Sequence, residues 1–100
     1  MNVITRNTLI SYCATYTDAE QALYTWYNVA KSKDWKNFNE VKDSYPSADQ
    51  VGADRMVFNI KGNKYRLIVR FGFTFKSVQI KWFGPHKEYD KIDVISVQLD

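Results

Sequence analysis

The segment Phe83-Gly84-Pro85-His86-Lys87-Glu88-Tyr89-Asp90 holds the chain's one histidine together with a tyrosine, two acids and a lysine. Histidine is the side chain whose ordinary pKa, roughly 6.5, lets it give or take a proton near neutrality. If residues 86 to 90 form a helical turn, His86 and Tyr89 share a face at i and i+3, and His86 and Asp90 at i and i+4. Asp90 would then orient the imidazole and keep it charged, a secondary role. A lone histidine is otherwise just an exposed side chain. A basic row upstream gives the segment its interest. Lys64, Arg66 and Arg70 stand at i, i+2 and i+6 of one predicted strand, so their side chains point the same way. Lys61 sits beside the preceding turn, Lys81 projects from a neighbouring strand, and Lys87 follows the histidine. Strands about 4.8 Å apart would bring such groups within reach of successive phosphates on a single strand. The competing reading pairs Arg66 with a surface carboxylate, but its nearest acids in sequence are Asp54 and Glu88.

Charge is distributed to match. The chain of 100 residues carries a net charge of +3, and all of the excess lies in the second half. Residues 1–50 hold five basic and six acidic groups, and residues 51–100 nine and five. No acid occurs between Asp54 and Glu88, where eight cations fall. An acid-free basic stretch is the footprint of a surface that meets phosphates, and also of a solvated sheet that aids solubility. The 45% hydrophobic and 25% charged content excludes disordered and collagen-like classes. No apolar run approaches the roughly 20 residues of a membrane span. The opening Met1-Asn2-Val3-Ile4-Thr5-Arg6 lacks the basic leader and apolar stretch of a secretory signal. One cysteine, Cys13, allows no internal disulfide, and with His86 it leaves too few soft ligands for structural zinc. A cytoplasmic protein with no membrane partner, no metal and no cofactor is expected.

Elements to position these groups follow from periodicity. Thr5 is expected to cap a first helix with Leu9, Ile10, Cys13 and Tyr16 on one face. Thr17-Asp18-Ala19-Glu20 has the form of a capping box, with an apolar stripe of Ala19, Ala22, Leu23, Trp26 and Ala30 behind it, predicting a helix to about Ser32. Asn37 and Glu40 predict a short third helix burying Phe38, Val41 and Tyr45 and ended by Pro46. Ser47 to Asp54 reads as a loop. From Arg55 the period becomes two: Met56, Phe58 and Ile60 face one side, and Gly62-Asn63 makes a two-residue turn. The return strand sets Tyr65, Leu67, Val69 and Phe71 against Lys64, Arg66, Ile68 and Arg70. After Gly72 a third strand is expected to place Val78, Ile80 and Trp82 inward and Ser77, Gln79 and Lys81 outward, ending at Gly84-Pro85. The expected fold class is α+β: N-terminal helices packed on one face of a small twisted antiparallel sheet, the other face partly open and basic.

These residues resemble the HigB family of bacterial type II toxins, in the RelE-like superfamily of small mRNA endoribonucleases. The resemblance runs along nearly the whole chain, residues 1–100 as a single domain. It is carried by Val3-Ile4-Thr5, Asp34-Trp35-Lys36, Tyr45-Pro46-Ser47-Ala48, Val57-Phe58-Asn59-Ile60-Lys61-Gly62-Asn63-Lys64-Tyr65-Arg66-Leu67 and His86-Lys87-Glu88-Tyr89-Asp90-Lys91-Ile92-Asp93. Pro85 departs from it, standing where the family commonly has threonine. The resemblance implies a RelE-like fold, cleavage of mRNA on the ribosome, and a HigA-type helix-turn-helix antitoxin as partner. It also implies that Arg66 faces the scissile phosphate and that His86 and Tyr89 lie where relatives place a general acid or base. On this reading the catalytic set is Arg66, His86 and Tyr89, and Lys61, Lys64, Arg70, Lys81 and Lys87 bind substrate. Two rivals share the scaffold: a ParE-like gyrase inhibitor that cuts nothing, and an RNA-binding module stacking bases on Phe71, Phe73, Phe75, Trp82 and Phe83. Alternation puts at least Phe71 and Trp82 on the core side.

Overall fold

The computed structural model describes residues 1–4 and 6–97, so the expected cap at Thr5 lies outside the described residues. The elements run β1 (Asn2–Val3), α1 (Arg6–Thr15), a 3₁₀ turn (Thr17–Ala19), α2 (Glu20–Ser32), α3 (Phe38–Ser44), β2 (Asp49–Val51), β3 (Arg55–Ile60), β4 (Tyr65–Gly72), β5 (Ser77–Pro85) and α4 (His86–Tyr89). The strands form one sheet in the order β1-β5-β4-β3-β2. Strands β2 to β5 are antiparallel neighbours, and β1 joins β5 in parallel as a two-residue edge. The fold is α+β, consistent with a RelE-like fold.

Helices α1 to α3 cover one face of the sheet because their apolar stripes match the alternation of β3 and β4. Leu23, Trp26 and Ala30 of α2 and Val41 of α3 are buried with Met56, Phe58, Ile60, Leu67 and Val69. Trp26 meets Phe58 edge-on with ring centroids 5.5 Å apart, and Tyr45 meets the same ring at 5.1 Å. Burying each such aromatic contributes about 1.5–3 kcal/mol.

Local details differ from expectation in five places. Ile10 is 40% exposed, so α1 buries only Leu9 and Cys13. The capping box at Thr17 does not form: the chain makes a 3₁₀ turn there, and neither it nor α2 has a side-chain cap. By contrast the Asn37 side chain accepts from the Glu40 N–H at 3.0 Å and starts α3 as expected. The segment read as a loop contains β2, which pairs through Asp49, Gln50 and Val51 with β3. The β3–β4 loop spans Lys61 to Lys64, with the Lys64 N–H donating to the Lys61 carbonyl at 3.3 Å around Gly62-Asn63. Both Lys61 and Gly62 have positive φ, 54° and 65°; glycine supplies the second without a Cβ clash.

The fifth difference bears on the site. Pairing between β4 and β5 shifts after Ile68: Ile68 opposes Trp82, but Val69 opposes Ile80. Lys81 is thus the extra residue of a β-bulge, which puts two successive side chains on one face and reverses the alternation beyond it. Trp82 therefore leaves the core, contrary to expectation, and Phe83 enters it at 2% exposure. The second face is also less open than expected, since Arg55, Val57, Ile68 and Lys81 are all buried. The chain after α4 returns across it. Arg55 Nη1 donates to the carbonyls of Val94 at 3.1 Å and Val97 at 2.5 Å.

Candidate active site

Strand pairing brings Arg66 and His86 together. Arg66 lies opposite Gly84 on β5, and its side chain projects from the face away from α2. Proline at 85, with φ −62° and ψ 151°, ends the strand, and α4 begins at the next residue. The His86 N–H donates to the Lys64 carbonyl at 3.1 Å, tying the start of α4 to the base of the β3–β4 loop. As a result Arg66 Nη2 stands 2.9 Å from His86 Nε2. A guanidinium has only donors, so Nε2 is the acceptor and the ring proton belongs on Nδ1. Nδ1 faces Asp90 Oδ2 at 3.8 Å, one helical turn on.

Aromatic rings frame this pair. The Arg66 guanidinium carbon lies 5.2 Å from the Tyr89 ring centroid, within cation–π range. Tyr89 lies 6.3 Å from the His86 ring and 6.3 Å from the ring of Trp82. Burial pushes the Tyr89 phenol above its ordinary value, with Arg66 opposing. Arg66 itself has no carboxylate partner among the described residues, and its buried Nε has no acceptor. An unmet buried donor costs about 1–3 kcal/mol.

The expected substrate-binding cations separate into groups. Lys61 and Lys64 turn toward the helical layer and share Asp18: Lys61 Nζ is 3.4 Å from its carboxylate, and Lys64 binds the same oxygen. The Tyr65 hydroxyl donates to the other oxygen at 2.5 Å. Bonds from Lys64 and Tyr65, aided by the charge of Lys61, hold the Asp18 carboxyl well below the usual range. Arg70 lies at the far end of β4, its Nε donating to Asp54 at 2.7 Å. Lys81 is 9% exposed at the bulge; burial, then Arg55 and Arg70, push its ammonium pKa down. Lys87 is exposed on α4. So Arg66, His86, Tyr89 and Asp90 converge, Lys61 and Lys64 flank them from the loop, and Arg70 and Lys81 gather elsewhere with Arg55.

Sequence reasoning named Trp82 as a stacking residue only in a rival reading and set it on the core side, and it gave Asp18 only a place in a capping box. Nothing in a period-two pattern marks a bulge, and Asp18 reaches the hairpin across more than forty residues of chain. Among the described residues, no group of three or more His, Cys, Asp or Glu side chains is placed to hold a metal ion. No described helix is long and apolar enough to cross a membrane.

Comparison with known proteins bears on the same residues. A relative, the mRNA interferase HigB of Escherichia coli O6:H1, is 27% identical over 94 residues, covering 92% of this chain and 91% of its own. The family model for the HigB toxin, described as the RelE-like toxic component of a toxin–antitoxin system, matches residues 19–92, which include Arg66, His86 and Tyr89. With well over half of its length matched, the chain belongs to the HigB toxin family of RelE-like toxic components.

Proposed function

We propose that this toxin is an mRNA endoribonuclease that works without metal by driving the RNA's own 2′-hydroxyl onto the adjacent phosphate. The observation that carries this reading is the 2.9 Å approach of Arg66 Nη2 to His86 Nε2 above the Tyr89 ring. A phosphate arriving at the guanidinium takes over its donors and frees the imidazole lone pair beside it. His86 then accepts the 2′-hydroxyl proton as the 2′-oxygen–phosphorus bond forms, and Asp90 faces the imidazolium that results. Arg66 stabilises the equatorial oxygens of the phosphorane; donors fixed in advance of this kind are usually the largest single contribution. Tyr89, a phenol that is protonated at neutral pH and whose pKa burial raises further, protonates the departing 5′-oxygen as the phosphorus–oxygen bond breaks. The proton on His86 later returns to Tyr89, leaving a 2′,3′-cyclic phosphate and a 5′-hydroxyl.

The relative is named as an mRNA interferase, which supports message as substrate. The acid–base pair is modest, and a message held by the ribosome arrives with its geometry fixed. Positioning is worth about 7–11 kcal/mol in favourable cases. We therefore assign the protein to the ribosome in the cytoplasm, cutting free RNA slowly, and to control by a HigA-type helix-turn-helix antitoxin. The test is to incubate purified protein with programmed ribosomes, with free message, and with gyrase and relaxed plasmid. Cleavage on ribosomes with cyclic-phosphate ends supports the reading. Products ending in a 3′-hydroxyl, or inhibited supercoiling with intact RNA, contradict it.

A further inference from the structure

Trp82 has no part in that chemistry, yet the bulge at Lys81 delivers it to the catalytic face. Its indole lies across Gly84, the cross-strand neighbour of Arg66. A Cβ at Gly84 would fall 2.8 Å from ring atoms Cη2 and Cζ2, so any side chain there would push the indole from its place. The ring is half-buried, outside the hydrophobic core, and in contact with Tyr89. The two rings are tilted 54° to each other and make a corner, not a parallel slot, so a flat ligand stacks on one indole face.

We propose that Trp82 forms a nucleobase subsite, in which a base of single-stranded RNA next to the scissile phosphate stacks on the indole while Arg66 holds that phosphate. This rests on the RNA-cleavage reading and adds to it a contact with the base beside the scissile phosphate. Indole offers a large π face to any base, and stacking of this kind is sequence-tolerant with graded preferences. The purine bases, with their larger faces, are the favoured occupants.

Fluorescence isolates the contact, because Trp26 and Trp35 are enclosed at 1% and 3% exposure and Trp82 is not. The probes are short single-stranded 2′-O-methyl oligonucleotides, which lack the nucleophile and stay uncut, and matching abasic strands that keep the phosphates. Wild-type protein should show saturable quenching with the base-bearing strands and none with the abasic ones. Trp82→Phe should lose the quenching and still bind by anisotropy. Trp82→Ala, checked for native circular dichroism, should bind about 10- to 100-fold more weakly. On programmed ribosomes it should lose a similar factor in kcat/KM and shift its cleavage sites. Quenching that persists in Trp82→Phe, equal quenching by abasic strands, absence of binding, or unchanged affinity in Trp82→Ala would each overturn the subsite. Quenching without cleavage would instead leave the subsite standing and remove the catalytic reading.

Discussion

A guanidinium cannot accept a hydrogen bond, and this settles how the resting pair is arranged: Arg66 donates and His86 Nε2 receives. On the proposed mechanism the base is thus parked on the group that will later hold the phosphate, and binding substrate releases it. Replacing Arg66 by lysine keeps a charge but loses the planar fork and the stacking on Tyr89, so a loss near that of alanine is expected in cleavage rate. Tyr89→Phe preserves the ring beneath Arg66 and removes only the acidic proton, so it should slow cleavage about 100-fold while leaving affinity unchanged. Because burial raises the Tyr89 pKa, the acid form persists on the alkaline side. The fall in wild-type rate assigned to Tyr89 should come above the ordinary phenol value of about 10, and be missing from the Tyr89→Phe profile. At this scale the sequence was informative. The spacing of His86, Tyr89 and Asp90 suits one face of a helical turn, which α4 supplies, and Arg66 stood out as a strand cation with no acid nearby in sequence. The fate of Lys61 and Lys64 was hidden, because their partner Asp18 comes from the other end of the fold.

Two local devices place those residues: the bulge at Lys81 and the clamp between Asp18 and the β3–β4 loop. Phe83 fills the core position that simple alternation allots to Trp82. Phe83→Ala should therefore cost about 3–5 kcal/mol in urea denaturation, against under about 1 kcal/mol for Trp82→Ala. Similar costs for the two would mean that no bulge reverses the strand. Asp18 binds Lys64 and Tyr65, and the Lys64 carbonyl receives the His86 N–H, so the clamp bears on the turn that carries His86. The Asp18 pKa is lowered in the folded state. Its stabilising contribution is thus fully present above the unfolded value of about 3.9 and disappears as pH falls toward the folded value. The stability gap between wild type and Asp18→Asn should then be constant above about pH 5 and close on acidification. The helices were legible from apolar spacing of three and four, α2 down to Ser32. Strand β2 was not, because Asp49-Gln50-Val51 is too short and polar to carry a pattern and is defined by its pairing with β3.

For the molecule as a whole, the helical layer and the sheet face it covers supply the core, and the edge of the other face carries the candidate site. The excess of cations in the second half led to the expectation of an open basic surface. The chain after α4 instead closes part of that face, through Arg55 and the carbonyls of Val94 and Val97. No sequence rule gives the path of such a segment. The end where Arg66, His86 and the β3–β4 loop meet stays accessible, and this end should meet RNA. Binding to single-stranded RNA should weaken with salt, with a slope of about −0.7 per phosphate neutralised. Asp18→Asn releases Lys64 from its ion pair, while Lys61 keeps the Asp18 carbonyl at 3.1 Å, so the slope should steepen by about 0.7, and an unchanged slope would exclude Lys64 from the RNA path. The pairing of Arg66 with His86 is tested most directly by single-turnover cleavage on programmed ribosomes with wild type, Arg66→Ala, His86→Ala and the double variant. Each single change should lower the rate by at least about 100-fold, and the double variant should be little worse than the poorer single. Near-wild-type rates in either single variant would contradict the catalytic assignment.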